Sequence, residues 1–65
     1  MNSKKRITPE QFKNARKAAG LTQSEAAVLL STTPRTVQHW EGGTRNCPFN
    51  QFELFLLKTG QLQTK

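Results

Sequence analysis

Residues 20–43, GLTQSEAAVLLSTTPRTVQHWEGG, leave room for two short helices and almost nothing between them. Thr22 can cap the first. Glu25, three residues on, can reach back to that cap, so backbone donors that no helical carbonyl serves are satisfied reciprocally. Ala26, Val28, Leu29 and Leu30 then supply an apolar face, and the helix must stop near Ser31. Thr33 and Pro34 start another, with a hydroxyl at the cap and then a residue whose φ is already set for the first helical position. Val37 and Trp40 lie three apart and fall on one side of that helix as anchors. Arg35, Thr36, Gln38 and His39 are left mostly outward. Two helices joined by about three residues must cross steeply.

That arrangement is a helix-turn-helix unit, and its second helix carries the side chains that DNA reading needs. Arg35 can bond bidentately to guanine O6 and N7. His39 stands four residues further on, on the same face, although a half-packed histidine beside Trp40 has the same sequence signature. Trp40 reads as core rather than as a stacking platform, because its spacing from Val37 turns it inward.

The whole chain limits what can surround this unit. Its 65 residues make one domain, near the lower limit for folding without disulfides or metal. Only about 60% of the unfolded chain's surface is buried at that size, so stability is modest or dimer-assisted. Ten Lys and Arg against four Glu, with no Asp, give a net charge of +6. So basic a small domain has the footprint of a nucleic-acid binder, although lysines also serve solubility alone.

Start and stop signals divide the chain into a basic arm over residues 1–7, a helical domain over 8–60 and a frayed tail over 61–65. Lys4, Lys5 and Arg6 in the arm either follow a groove or backbone, or merely keep the chain soluble. Thr8, Pro9 and Glu10 open a first helix that runs to about Ala19, with Phe12, Ala15 and Ala19 inward, and Gly20 ends it. The second and third helices follow, the third spanning about 33–42 before Gly42 and Gly43 close it. A loop over 44–48 leads to a fourth helix that opens at Pro48 or at Phe49 and Asn50, runs to about Thr59 and ends at Gly60. No alternation at period two suggests a strand. The expected fold is all-α, a compact domain of four helices, or five.

The fourth helix carries more apolar residues than one buried face requires. Phe49, Phe52, Phe55 and Leu56 form a stripe, while Leu54 and Leu57 fall off it, and together they cover roughly 260° of the wheel. Either a tiny domain buries this helix deeply, or Phe52, Leu54, Phe55 and Leu57 pack against a second copy in a homodimer.

From Arg16 to Pro48 the chain resembles the Cro and phage-repressor helix-turn-helix family, also called XRE-like. The residues that carry the likeness are Arg16, Gly20-Leu21-Thr22-Gln23, Ala27, Leu30, Thr32-Thr33, Val37, Trp40-Glu41, Gly43 and Pro48. The resemblance implies a lambda-repressor-like fold and a transcriptional regulator binding a two-fold symmetric DNA operator as a dimer. A chain this short is most similar to a single-domain Cro-type repressor of phage or other origin. The resemblance also assigns roles. Thr33, Arg35 and His39 match positions facing base edges, and Gln38, on the flank, is grouped with them but can also reach phosphate. Gln23, Thr36 and Arg45 are placed on the phosphate backbone. Arg16 and Glu41 match a structural ion pair tying the first helix to the third, though Arg16 alone reads equally as a solvated charge or a phosphate contact. This chain departs from the family at Ser31, where glycine is usual, and at Pro34, where a long polar side chain is common. A serine held at positive φ costs about 1 kcal/mol. Pro34 can touch a thymine methyl but cannot hydrogen-bond a base, which shifts readout toward Arg35 and His39.

Other classes find little support. One His, one Cys and no Asp leave no paired carboxylates and no set of metal ligands, and no glycine-rich loop cradles a phosphate. No enzyme, cofactor, metal or small-molecule ligand is expected. Cys47 reads as a loop or core-edge thiol and has no internal disulfide partner, which fits a reducing cytoplasm. No apolar run approaches a signal peptide or a membrane span, so a cytoplasmic protein is expected. The alternative function is an antitoxin-like protein that binds a toxin partner and autoregulates its operon, since WEGG…R..CP occurs in similar form among such proteins. RNA is disfavoured, because its deep, narrow groove excludes the recognition helix.

Overall fold

A computed structural model describes residues 7–61. Four helices follow one another: α1 (Pro9–Ala18), α2 (Gln23–Leu29), α3 (Pro34–Gly42) and α4 (Phe49–Lys58). Among the described residues there is no strand, only an isolated antiparallel bridge between Ile7 and Cys47. The all-α expectation holds with four helices, each ending within a residue or two of its sequence signals.

Threonine starts three of them. Thr8 and Thr22 each accept from the backbone N–H three residues on, while Gln11 and Glu25 accept in return from the cap backbone N–H. Thr33 accepts from the Thr36 N–H at 3.3 Å, with Pro34 at the first helical position. Thr33 is therefore the cap of α3 rather than part of it.

Three helices stop by one shared device. After α1, Leu21 N–H donates to Arg16 C=O and Gly20 N–H to Lys17 C=O. After α4, Gln61 N–H donates to Leu56 C=O and Gly60 N–H to Leu57 C=O. After α2, Thr32 N–H donates to Ala27 C=O at 2.8 Å and Ser31 N–H to Val28 C=O at 3.1 Å. This is the Schellman closure, which needs a left-handed residue just past the helix. Gly20 and Gly60 supply it at φ 75° and 79°, and Ser31 adopts φ 58° without being glycine.

The core forms around Phe12. Its ring meets Trp40 edge-on at 5.3 Å and lies 5.0 Å from Phe55 and 6.3 Å from Phe52. One aromatic of α1 thus joins α3 to α4. Ala26, Ala27, Leu30 and Val37 complete the centre, and small alanines on α2 let α3 approach closely.

Five expectations need correction. Ile7 is buried against Cys47 and belongs to the domain, so the arm ends before it; Lys4, Lys5 and Arg6 lie outside the described residues. Cys47 is core rather than edge. Val28 is 78% exposed, because the inward face of α2 runs through Ala26, Ala27 and Leu30. Phe55 is fully buried by Phe12 and cannot contact a second copy. Gln61 is tied down rather than frayed, with its amide donating to Ala15 C=O at 3.0 Å and to Thr59 Oγ1 at 2.9 Å.

Candidate nucleic-acid interface

The buried side of α3 determines its exposed side. Val37 and Trp40 point into the core and the Glu41 carboxylate into a polar cluster, so Arg35, Gln38, His39 and Gly42 line the opposite face. Arg35 and Gln38 are exposed and His39 is half-buried. No hydrogen bond or ion pair engages the side chains of Arg35, Gln38 or His39 among the described residues. That face bears no carboxylate. The helix therefore presents uncommitted donors and a positive charge on a rigid, capped element.

The polar cluster behind α3 sets its angle. Arg16 Nε donates to Glu41 Oε2 at 2.7 Å and Arg16 Nη2 to Glu41 Oε1 at 3.0 Å, a two-pronged pair between α1 and α3. Arg16 Nη1 donates to Leu21 C=O at 2.9 Å, holding the chain between α1 and α2. Gln23 Nε2 completes the set with a 3.2 Å bond to Glu41 Oε1. The side chains of Arg16 and Glu41 keep only 13% and 5% of their exposure. Burial alone would raise the Glu41 carboxyl, but bonds from Arg16 and Gln23 and the charges of Arg16 and Lys13 outweigh it, leaving its pKa below the ordinary value. The bond to Glu41 raises the Arg16 pKa in turn, against the smaller effect of burial. Both groups stay charged at neutral pH, and three segments are fixed around the recognition helix.

The expected site residues thus separate into two groups. Arg35, Gln38 and His39 share the open face of α3, and Arg45 is exposed in the loop beyond it, its backbone N–H held by His39 C=O. Thr33 and Thr36 are partly committed to each other: their hydroxyls lie 3.0 Å apart and Thr33 also caps the helix. Gln23 stands at the start of α2 with one amide hydrogen engaged by Glu41, which makes it part of the brace whatever else it touches.

Two contributors escaped the sequence reading. Lys13, one turn before Arg16 on α1, acts on Glu41 through its charge, and its spacing was the available clue. Leu21 contributes through its carbonyl, for which no side-chain pattern exists. Burial pushes the Cys47 thiol up to about 12, which disfavours the reactive thiolate. Among the described residues no group of three His, Cys, Asp or Glu could hold a metal ion, and no helix is long and apolar enough to cross a membrane.

A tightly joined α2–α3 pair with a donor-rich outer face defines a helix-turn-helix DNA-binding domain. Residues 10–57 match the helix-turn-helix domain family over most of the chain, and the protein belongs to that family. No curated protein matches it.

Proposed function

We propose that this protein is a sequence-specific transcriptional regulator of the Cro-type repressor kind, which inserts α3 into the major groove of a palindromic operator. It acts by occupying the site, without catalysis, in the cytoplasm. The observation that carries this reading is the open face of α3, where Arg35 and His39 stand one turn apart while the opposite side is locked to α1 and α2 by Arg16, Glu41 and Gln23. Base readout falls to Thr33, Arg35, Gln38 and His39. Arg45, Gln23 and Thr36 serve the phosphate backbone.

A symmetric operator calls for two copies. Leu54 and Leu57 are each 37% exposed on one face of α4, and this face is the proposed dimer contact; Phe52 lies on the far side of the helix, toward Phe12. Sedimentation at micromolar and higher concentration tests it, alone and on DNA. A strict monomer in both states removes the dimer. A monomer that also prefers no duplex favours the antitoxin-like role instead.

Selection from a random duplex pool tests the main reading. Enrichment of a palindrome with half-sites about one helical turn apart (~34 Å) is expected. Recovery of no preferred sequence overturns it.

A further inference from the structure

Two side chains at the N-terminal end of α3, Pro34 and Arg35, are strongly restricted in what they can contact. Arg35 carries five N–H donors and no acceptor. The Thr33 and Thr36 hydroxyls are 3.0 Å apart, and Thr33 Oγ1 also accepts from the Thr36 N–H. Two hydroxyls carry two hydrogens and four acceptor lone pairs; one hydrogen and one lone pair lie in the bond between them and a second lone pair takes the Thr36 N–H, so the pair can both donate and accept outward. Between these donors sits Pro34, exposed at the first helical position, an apolar ring without an N–H.

Base edges in the major groove differ in the complementary way. Guanine presents two acceptors, and thymine presents one acceptor and a methyl group; adenine and cytosine each present an amino donor. Arg35, with donors and no acceptor, fits guanine, and the apolar ring of Pro34 fits the methyl group that only thymine carries; neither side chain can pair with the amino groups of adenine and cytosine. We infer that the bases facing Arg35 and Pro34 are guanine and thymine, and that Pro34 is a specificity-determining residue which selects thymine through its 5-methyl group. This inference rests on the operator-binding reading and adds the chemistry of the half-site.

Base analogues provide the test. On the duplex recovered by selection, each thymine is replaced in turn by deoxyuridine, which removes only the methyl, and each guanine by 7-deazaguanine, which removes N7. Binding is followed by fluorescence anisotropy. At one thymine per half-site, deoxyuridine should weaken the wild-type protein by about fourfold, the value of one buried methyl. Pro34→Ala should bind the two duplexes alike at that position. At one guanine per half-site, 7-deazaguanine should weaken the wild type and leave Arg35→Ala unaffected. The wild-type series needs no variant, so a poorly folded Pro34→Ala leaves it decisive. A duplex that is selected and bound, yet indifferent to the methyl at every thymine, overturns the role of Pro34 while the regulator reading stands. So does a Pro34→Ala protein with undiminished sensitivity to the methyl. A selection that enriches nothing overturns both readings together.

Discussion

Replacing Ser31 with glycine should stabilise the protein, and the structure supplies the size of the effect. Ser31 occupies the left-handed position of the closure after α2 at φ 58°, while glycine fills the equivalent positions after α1 and α4. A side chain held in that region costs about 1–2 kcal/mol. The serine hydroxyl makes no hydrogen bond among the described residues and the residue is exposed, so Ser31→Gly loses no contact. Glycine's extra freedom in the unfolded chain returns about 0.4–1 kcal/mol. The net gain is about 0.5–1 kcal/mol. For 65 residues the unfolding entropy near the midpoint is about 140 cal/mol/K, so Tm should rise by about 4–7 °C. Far-UV circular dichroism melts of the two proteins measure it directly. Ser31→Val serves as the opposite control and should melt lower, because a β-branched side chain suits that φ worst. An unchanged or lower Tm for Ser31→Gly would refute the strain argument and imply that the serine stabilises the turn in another way.

Other consequences follow from the brace, the loop and the core. A carboxyl whose pKa is lowered on folding stabilises fully above its unfolded value and loses that contribution as pH falls through the folded one. Tm should therefore drop below about pH 4.5 for the wild type, whereas Glu41→Gln, already lower at pH 7, should show a shallower acid decline; parallel curves would contradict the role of the pair. Arg45→Ala should weaken all duplexes alike and reduce the slope of log affinity against log salt by about one, as titrations at several salt concentrations would show. Phe55→Ala should cost about 3–5 kcal/mol in urea denaturation, because its ring is fully buried against Phe12. Leu54→Ser with Leu57→Ser should cost about 2–4 kcal/mol of monomer stability in urea denaturation, because each leucine buries most of its surface.

Most of the fold was legible because its boundaries are written in local chemistry. Thr8-Pro9, Thr22 with Glu25, and Thr33-Pro34 announce helix starts, and Gly20, Gly43 and Gly60 announce the ends. The spacing of Val37 and Trp40 oriented the recognition helix correctly. What could not be read depends on contacts distant in the chain. Whether Val28 or Ala27 faces the core is set by where α3 crosses α2, not by the apolar pattern of a seven-residue helix. The wheel puts Phe55 on the apolar stripe and Leu54 off it, but only the position of Phe12 decides that Phe55 is core rather than part of a contact with a second copy. Ile7 follows three cations and appears to continue the arm, yet its partner Cys47 is forty residues away. In the site, the pairing of Arg16 with Glu41 came from resemblance, while the attachment of Gln23 to the same carboxylate came from geometry alone.

The claim that the outer face of α3 reads sequence is tested most directly by one ratio: the affinity for the selected operator over that for a scrambled duplex of equal length, at fixed salt, for wild type and Arg35→Ala. A lost bidentate base contact costs about 1–3 kcal/mol, so the ratio should fall at least fivefold for each half-site engaged. If Arg35→Ala binds both duplexes more weakly but keeps the wild-type ratio, Arg35 is only a phosphate contact, and α3 does not read bases in the way described.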